Sequence, residues 1–182
     1  MILLYVENST QDRPNSGADN KTSMELKTGI KNSKEIVVTE DMTAATAGSG
    51  GQRVFSTPHM VALMETTAWS SVEPCMEEGK TTVGTHLDIA HLSASPVGAR
   101  IVCESELIEI DRRKLVFKVK ASDNAGLIGE GTHERFIINV EKFMARTILR
   151  ELYFSPSFFP LPMTLMRLIP ISLGMPQASM IP

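Results

Sequence analysis

The sequence predicts an α+β domain over residues 24 to 146, and three observations carry that expectation. A single long helical pattern lies early in the chain, only strand-like segments follow it until about residue 140, and one of those strands alternates strictly between apolar and polar side chains. Helix and strands segregated along the chain favour an antiparallel sheet over a parallel βαβ one. At 182 residues the chain is long enough for one ordinary domain with a real core and short for two.

Taken in order, Glu35 to Met42 holds the β-branched run Ile36, Val37, Val38, Thr39, which favours an extended strand. The next stretch, TAATAGSGGQR, is rich in small residues and contains Gly48, Gly50 and Gly51, and it reads as a flexible loop. The long helix follows, with Thr57 as N-cap and Pro58 at the first helical position. Met60, Met64, Ala68, Val72 and Met76 recur every four residues, and Val61 and Cys75 widen the stripe, so one face is expected to be buried. The helix is expected to end near Gly79.

The later strands are expected at Thr81 to Leu92, Ala99 to Asp111, Lys114 to Ser122 and Leu127 to Val140. In the third of these, Leu115, Phe117, Val119 and Ala121 share one face, opposite Lys114, Lys118 and Lys120. Turn signals separate the strands at Ser95-Pro96-Val97-Gly98, Asp111-Arg112-Arg113 and Asp123-Asn124-Ala125-Gly126. A short helical candidate, Val140 to Arg146, closes the domain.

The two ends differ from the middle. Residues 1 to 23 become a mixture of Asn, Ser, Thr, Asp and Gly without a period, a composition expected of a disordered extension. The apolar stretch Met1 to Val6 is too short for a secretory h-region. Residues 147 to 182 are apolar but interrupted by Pro156, Pro160, Pro162, Pro170 and Pro176. That segment reads as a poorly ordered extension, or as an apolar arm that covers a partner or a membrane surface, and it contains no uninterrupted run long enough to span one.

Composition excludes several functions. A net charge of -3 and a pI near 5.8 argue against nucleic acid as partner. The one compact basic cluster, Arg112, Arg113 and Lys114, reads first as a turn. Cys75 and Cys103 stand in apolar stretches as expected core thiols, which suits a reduced, cytoplasmic protein. His59, His86, His91 and His133 show no zinc-binding spacing, and no metal or cofactor is implied.

Three blocks, VFSTPHMVALME from Val54, VGTHLDIAHLSASPVG from Val83 and IGEGTHERFIINVEKF from Ile128, together resemble the fluoroacetyl-CoA thioesterase family of hot-dog proteins, in its order and spacing. The resemblance covers nearly all of residues 24 to 146 and neither end. It implies a hot-dog fold, one long helix wrapped by a curved antiparallel sheet, and a homodimer with pockets near its interface. It also implies catalytic roles for Thr57, Glu65 and His91, with Gly84 and Arg135 as substrate-binding residues. The aromatic lid of the fluoroacetyl-specific enzyme has no counterpart in TAATAGSGGQR, a departure that weakens what the resemblance implies about fluoroacetate specificity and leaves thioesterase chemistry as its implication.

Thioester hydrolysis needs attack on a carbonyl, stabilisation of the oxyanion and departure of a thiolate. Glu65 is the candidate nucleophile or general base, Thr57 the residue that orients it, and His91 the acid-base that protonates the leaving group. A hydroxyl at the start of the helix also lies beside free backbone N–H groups that can polarise a carbonyl. Each residue has an ordinary alternative: Thr57 as a helix cap, Glu65 as a helix-face carboxylate, His91 as a hydrogen-bonded strand-end histidine, Gly84 as a strand glycine and Arg135 as a salt-bridged strand residue. At the level of function, the expected activity is an acyl-CoA thioesterase acting on a short or small acyl group. The alternative is a non-catalytic acyl-CoA-binding module that senses or sequesters its ligand.

Overall fold

A computed structural model of the chain describes residues 24–154, so the expected N-terminal extension and the proline-bearing part of the C-terminal tail lie outside the described residues. Alternation builds the sheet. In β4 (Lys114–Asp123), Leu115, Phe117, Val119 and Ala121 are wholly buried, while Lys118 and Lys120 face solvent. β4 pairs on one side with β3 (Arg100–Asp111) and on the other with β5 (Gly126–Asn139). β2 (Lys80–His91) adds to β5 and β1 (Lys31–Val37) adds to β3, giving an antiparallel sheet in the order β1-β3-β4-β5-β2.

The helix α1 (Thr57–Val72) packs on this sheet and turns Met60, Leu63, Met64, Ala68 and Val72 into it. They meet Ile101, Cys103 and Leu107 of β3, the buried row of β4, and Ile128 of β5 in one core. Burial of each large apolar side chain stabilises the fold by roughly 1.5–3 kcal/mol. One long helix on a five-stranded antiparallel sheet is the hot-dog fold expected from the sequence.

The boundaries differ in instructive places. The first strand runs from Lys31 to Val37 rather than from Glu35 to Met42. Its N-terminal half, KNSK, is polar because it lies at the edge of the sheet, where cross-strand pairs such as Lys31 with Glu106 and Glu35 with Arg100 serve in place of apolar packing. Beyond it, Glu40–Met42 forms a single 3₁₀ turn, where the Thr39 hydroxyl donates to Asp41 in competition with a backbone ladder.

The long helix ends at Val72, not near Gly79. Pro74 cannot continue it, and Glu73–Cys75 tightens into a 3₁₀ turn. Cys75 and Met76 therefore leave the helical stripe, and Cys75 is only partly buried, whereas Cys103 sits in the core as expected. Gly79 does adopt a left-handed φ of 74°, but in the turn that leads into β2. The closing helix, α2, runs over Val140–Phe154, well past Arg146. Among the described residues no helix is long and apolar enough to cross a membrane.

The expected flexible loop folds back on itself. Ala44 N–H donates to the Val54 carbonyl at 2.9 Å and Ala45 N–H to that of Gln52 at 3.0 Å, so the segment returns to the start of α1 as a short hairpin-like excursion. The basic cluster is a turn, as expected: Arg112 and Arg113 connect β3 to β4, with Arg113 over the Phe136 ring at 4.6 Å.

Candidate active site

The start of α1 divides its tasks between two neighbouring residues. Ser56, buried and extended, is the N-cap, and its hydroxyl accepts from the His59 N–H at 3.4 Å. Thr57 is the first helical residue, not the cap, so its hydroxyl is free of that duty. It meets His91 instead, with Thr57 Oγ1 2.8 Å from His91 Nδ1.

His91 is fixed from the other side. It is the last residue of β2, paired with Gly129 of β5, and the next residue, Leu92, donates its N–H to the Ile128 carbonyl at 2.7 Å. The chain after β2 is then tied to the approach to α1. Phe55 N–H donates to the Ser95 carbonyl at 2.8 Å, and Val54 bridges Pro96. The buried Ser95 hydroxyl donates to Asp123 at 2.7 Å, which, with the Ala125 N–H, holds that carboxyl below its usual range. The consequence is a cavity of about 320 Å³ beside the Thr57–His91 pair, with Ala44, Ser49, Val54 and Ala94 also in its wall. The second ring nitrogen of His91, Nε2, is shielded from solvent and has no protein partner.

Glu65 occupies a second cluster, two turns along α1. Its carboxylate is partly exposed and lies against the β2–β5 pair, with Oε1 3.8 Å from Nε2 of the buried His133. Gly84 makes room for it. A Cβ at that position would stand 2.5 Å from Glu65 Oε1 and 3.0 Å from His133 Cε1. Gly84 pairs directly with Arg135, and just beyond it β2 carries a bulge at Thr85 that restarts the register with His86 opposite Glu134. Arg135 is buried. Its Nε donates to Thr82 Oγ1 at 2.8 Å, Nη2 to the Thr82 carbonyl at 2.8 Å and Nη1 to His133 Nε2 at 3.0 Å.

Thr57 and His91 thus meet each other, while Glu65 and Gly84 meet His133, which in turn holds Arg135. Thr57 does not touch Glu65, because eight residues of helix separate them by about 12 Å of rise. Arg135 reaches the surroundings of Glu65 rather than the cavity beside Thr57. Ser56, Ser95 and His133 carry no expected role in the sequence, yet each supports this arrangement. The signal for His133 was its two-residue spacing from Arg135, which puts both on one face of a strand.

Comparison with known proteins gives this geometry its context. The family model for fluoroacetyl-CoA-specific thioesterase matches residues 38–141. The fluoroacetyl-CoA thioesterase of Streptantibioticus cattleyicolor is 39% identical over 93 residues, which are 51% of this chain and 67% of that protein. A solved structure of a fluoroacetyl-CoA thioesterase superposes with a TM-score of 0.66 at 30% identity, covering 69% of this chain and 98% of the other. A Thermus thermophilus protein described as a thioesterase superfamily member matches with a TM-score of 0.64 at 28% identity, over 70% of this chain and 95% of its own. The chain belongs to the fluoroacetyl-CoA-specific thioesterase family and is, with it, a thioester hydrolase of the hot-dog fold.

Proposed function

We propose that the chain hydrolyses a short or small acyl-CoA thioester to the free acid and CoA. In this reading Glu65 is the nucleophile or the general base, and His91 is the acid-base that returns a proton to the leaving thiolate. Thr57 acts through His91, whose Nδ1 it holds beside the positive end of α1; because Glu65 of the same chain lies about 12 Å of helix rise away, the pair works with the Glu65 carboxylate of the second chain in the proposed homodimer. Gly84 gives the carboxylate room against the strand, and Arg135 sustains its surroundings. As general base, Glu65 takes a proton from water as the hydroxyl oxygen adds to the carbonyl carbon. The tetrahedral intermediate then expels the CoA thiolate, which takes its proton from His91. As nucleophile, a Glu65 oxygen adds to the carbonyl carbon, the C–S bond breaks and the CoA thiolate takes its proton from His91, and water then opens the resulting mixed anhydride to give the free acid and restore the Glu65 carboxylate.

The observation that carries this reading is the Thr57–His91 hydrogen bond at the wall of a cavity of about 320 Å³, a size suited to a small ligand. The loop 43–53 brings only the small Ala44 and Ser49 to that wall, and the aromatic residue of the lining is the buried Phe55 just after the loop, which supports a small acyl group without an aromatic lid on the loop itself. A homodimer, formed where the β1 and β2 edges remain open, and a cytoplasmic location complete the proposal. A screen of acyl-CoA esters of graded length and substitution, read by release of free thiol, is the test. Turnover of small acyl groups, with acetyl and fluoroacetyl esters within about tenfold of each other, supports the reading. Tight binding without thiol release points to the non-catalytic alternative and overturns it.

A further inference from the structure

His133 is wholly buried, titratable and unused by the chemistry above, yet it touches each member of the Glu65 cluster. Its protonation state follows from its partners. The His86 carbonyl, 3.0 Å from Nδ1, can only accept, so Nδ1 carries a hydrogen. The Arg135 guanidinium, 3.0 Å from Nε2, can only donate, so Nε2 carries none. The ring is therefore neutral, and the nitrogen turned toward Glu65 Oε1 is a lone pair already engaged by Arg135.

We propose that His133 is a positioning residue for Glu65: as the Nδ1–H tautomer it stands beside Gly84 as one wall of the carboxylate's slot and offers the carboxylate no proton. A donor there would engage the lone pairs with which a carboxylate attacks carbon or accepts a proton from water. The neutral ring leaves them free and directs the Arg135 charge to the same place. Burial first, and then the adjacent Arg135 cation, lower the histidine below its ordinary value, against the pull of the His86 carbonyl and of the Glu65 and Glu134 carboxylates. The titratable and charged groups facing the ring are Glu65 from α1 and Arg135 and Glu134 from β5, while β2 contributes the His86 carbonyl. Were the ring to protonate, its Nε2–H would repel Arg135 and turn to Glu65. This inference rests on Glu65 being the reacting carboxylate, but its first test does not.

That test is proton–nitrogen correlation spectroscopy of the histidine rings in the full chain, with the His133 signal assigned by its loss in His133→Gln. A single neutral Nδ1–H tautomer that persists at mildly acidic pH is the expected result. An Nε2–H tautomer, or titration at the ordinary histidine value, overturns the proposal. The second test compares two variants by kcat and KM. His133→Gln can place an acceptor where Nε2 stands and is expected to keep kcat within about threefold, whereas His133→Asn reaches only the Nδ1 position and is expected to lose kcat by about tenfold or more at nearly constant KM. Equal kcat in the two variants contradicts a positioning role. If Glu65→Gln retains full turnover, the reading of Glu65 fails, while the tautomer measured by spectroscopy stands or falls alone.

Discussion

Ser56 and Thr57 are adjacent hydroxyl residues with separable jobs, and mutation should separate them. Ser56 caps α1, so Ser56→Ala should destabilise the protein by about 1 kcal/mol in denaturant unfolding. Thr57 spends its hydroxyl on His91, so Thr57→Ala should leave stability nearly unchanged and lower kcat by roughly 10- to 100-fold. Thr57→Ser, which keeps the oxygen, should recover most of that loss. The sequence showed a hydroxyl before a proline at a helix start, but the cap lies one residue earlier than Thr57, because two consecutive hydroxyls can each serve and only the backbone angles decide between them. Gly84 is a sharper case. A methyl group there would stand 2.5 Å from Glu65 Oε1, and the carboxylate must move to admit it. Gly84→Ala should fold, since its backbone is ordinary strand, and lose about 100-fold in kcat.

At the scale of elements, the β2–β5 ladder is what brings His91, Gly84, His133 and Arg135 into register with α1. It closes tightly at Gly131, where a Cβ would stand 1.9 Å from the Asp88 carbonyl oxygen, a backbone atom that cannot swing aside. Gly131→Ala should therefore part the strands and destabilise the protein by about 3 kcal/mol or more, measured as a lowered midpoint of thermal or denaturant unfolding. Unchanged unfolding would show that the ladder tolerates a wider spacing. The four strands after the helix were legible to within a residue or two, because alternation and turn residues are local signals. The bulge at Thr85 was not, since it depends on which residue of β5 lies opposite. Nor was the polar start of β1, whose edge position is a fact of the assembled sheet. The early end of α1 was written in Pro74, but the apolar stripe continuing through Met76 masked it.

For the whole molecule, two open sheet edges and the exposed Leu87 on β2 are features that association would cover. Light scattering at micromolar concentration should give twice the chain mass, and a monomer would contradict the proposed dimer. The order of the three sequence blocks pointed to the candidate site residues, and the fold explains their separation into a Thr57–His91 pair and a Glu65–His133–Arg135 cluster. Within one chain the two groups lie along a single helix and the strand pair beneath it. In the proposed reaction the Glu65 carboxylate performs the hydrolysis. Its most direct test is thiol release by Glu65→Gln against a panel of small acyl-CoA esters, with the fold checked by unfolding. A folded protein whose kcat falls by at least about 1000-fold on every ester is expected. Turnover equal to that of the unmodified chain would contradict it.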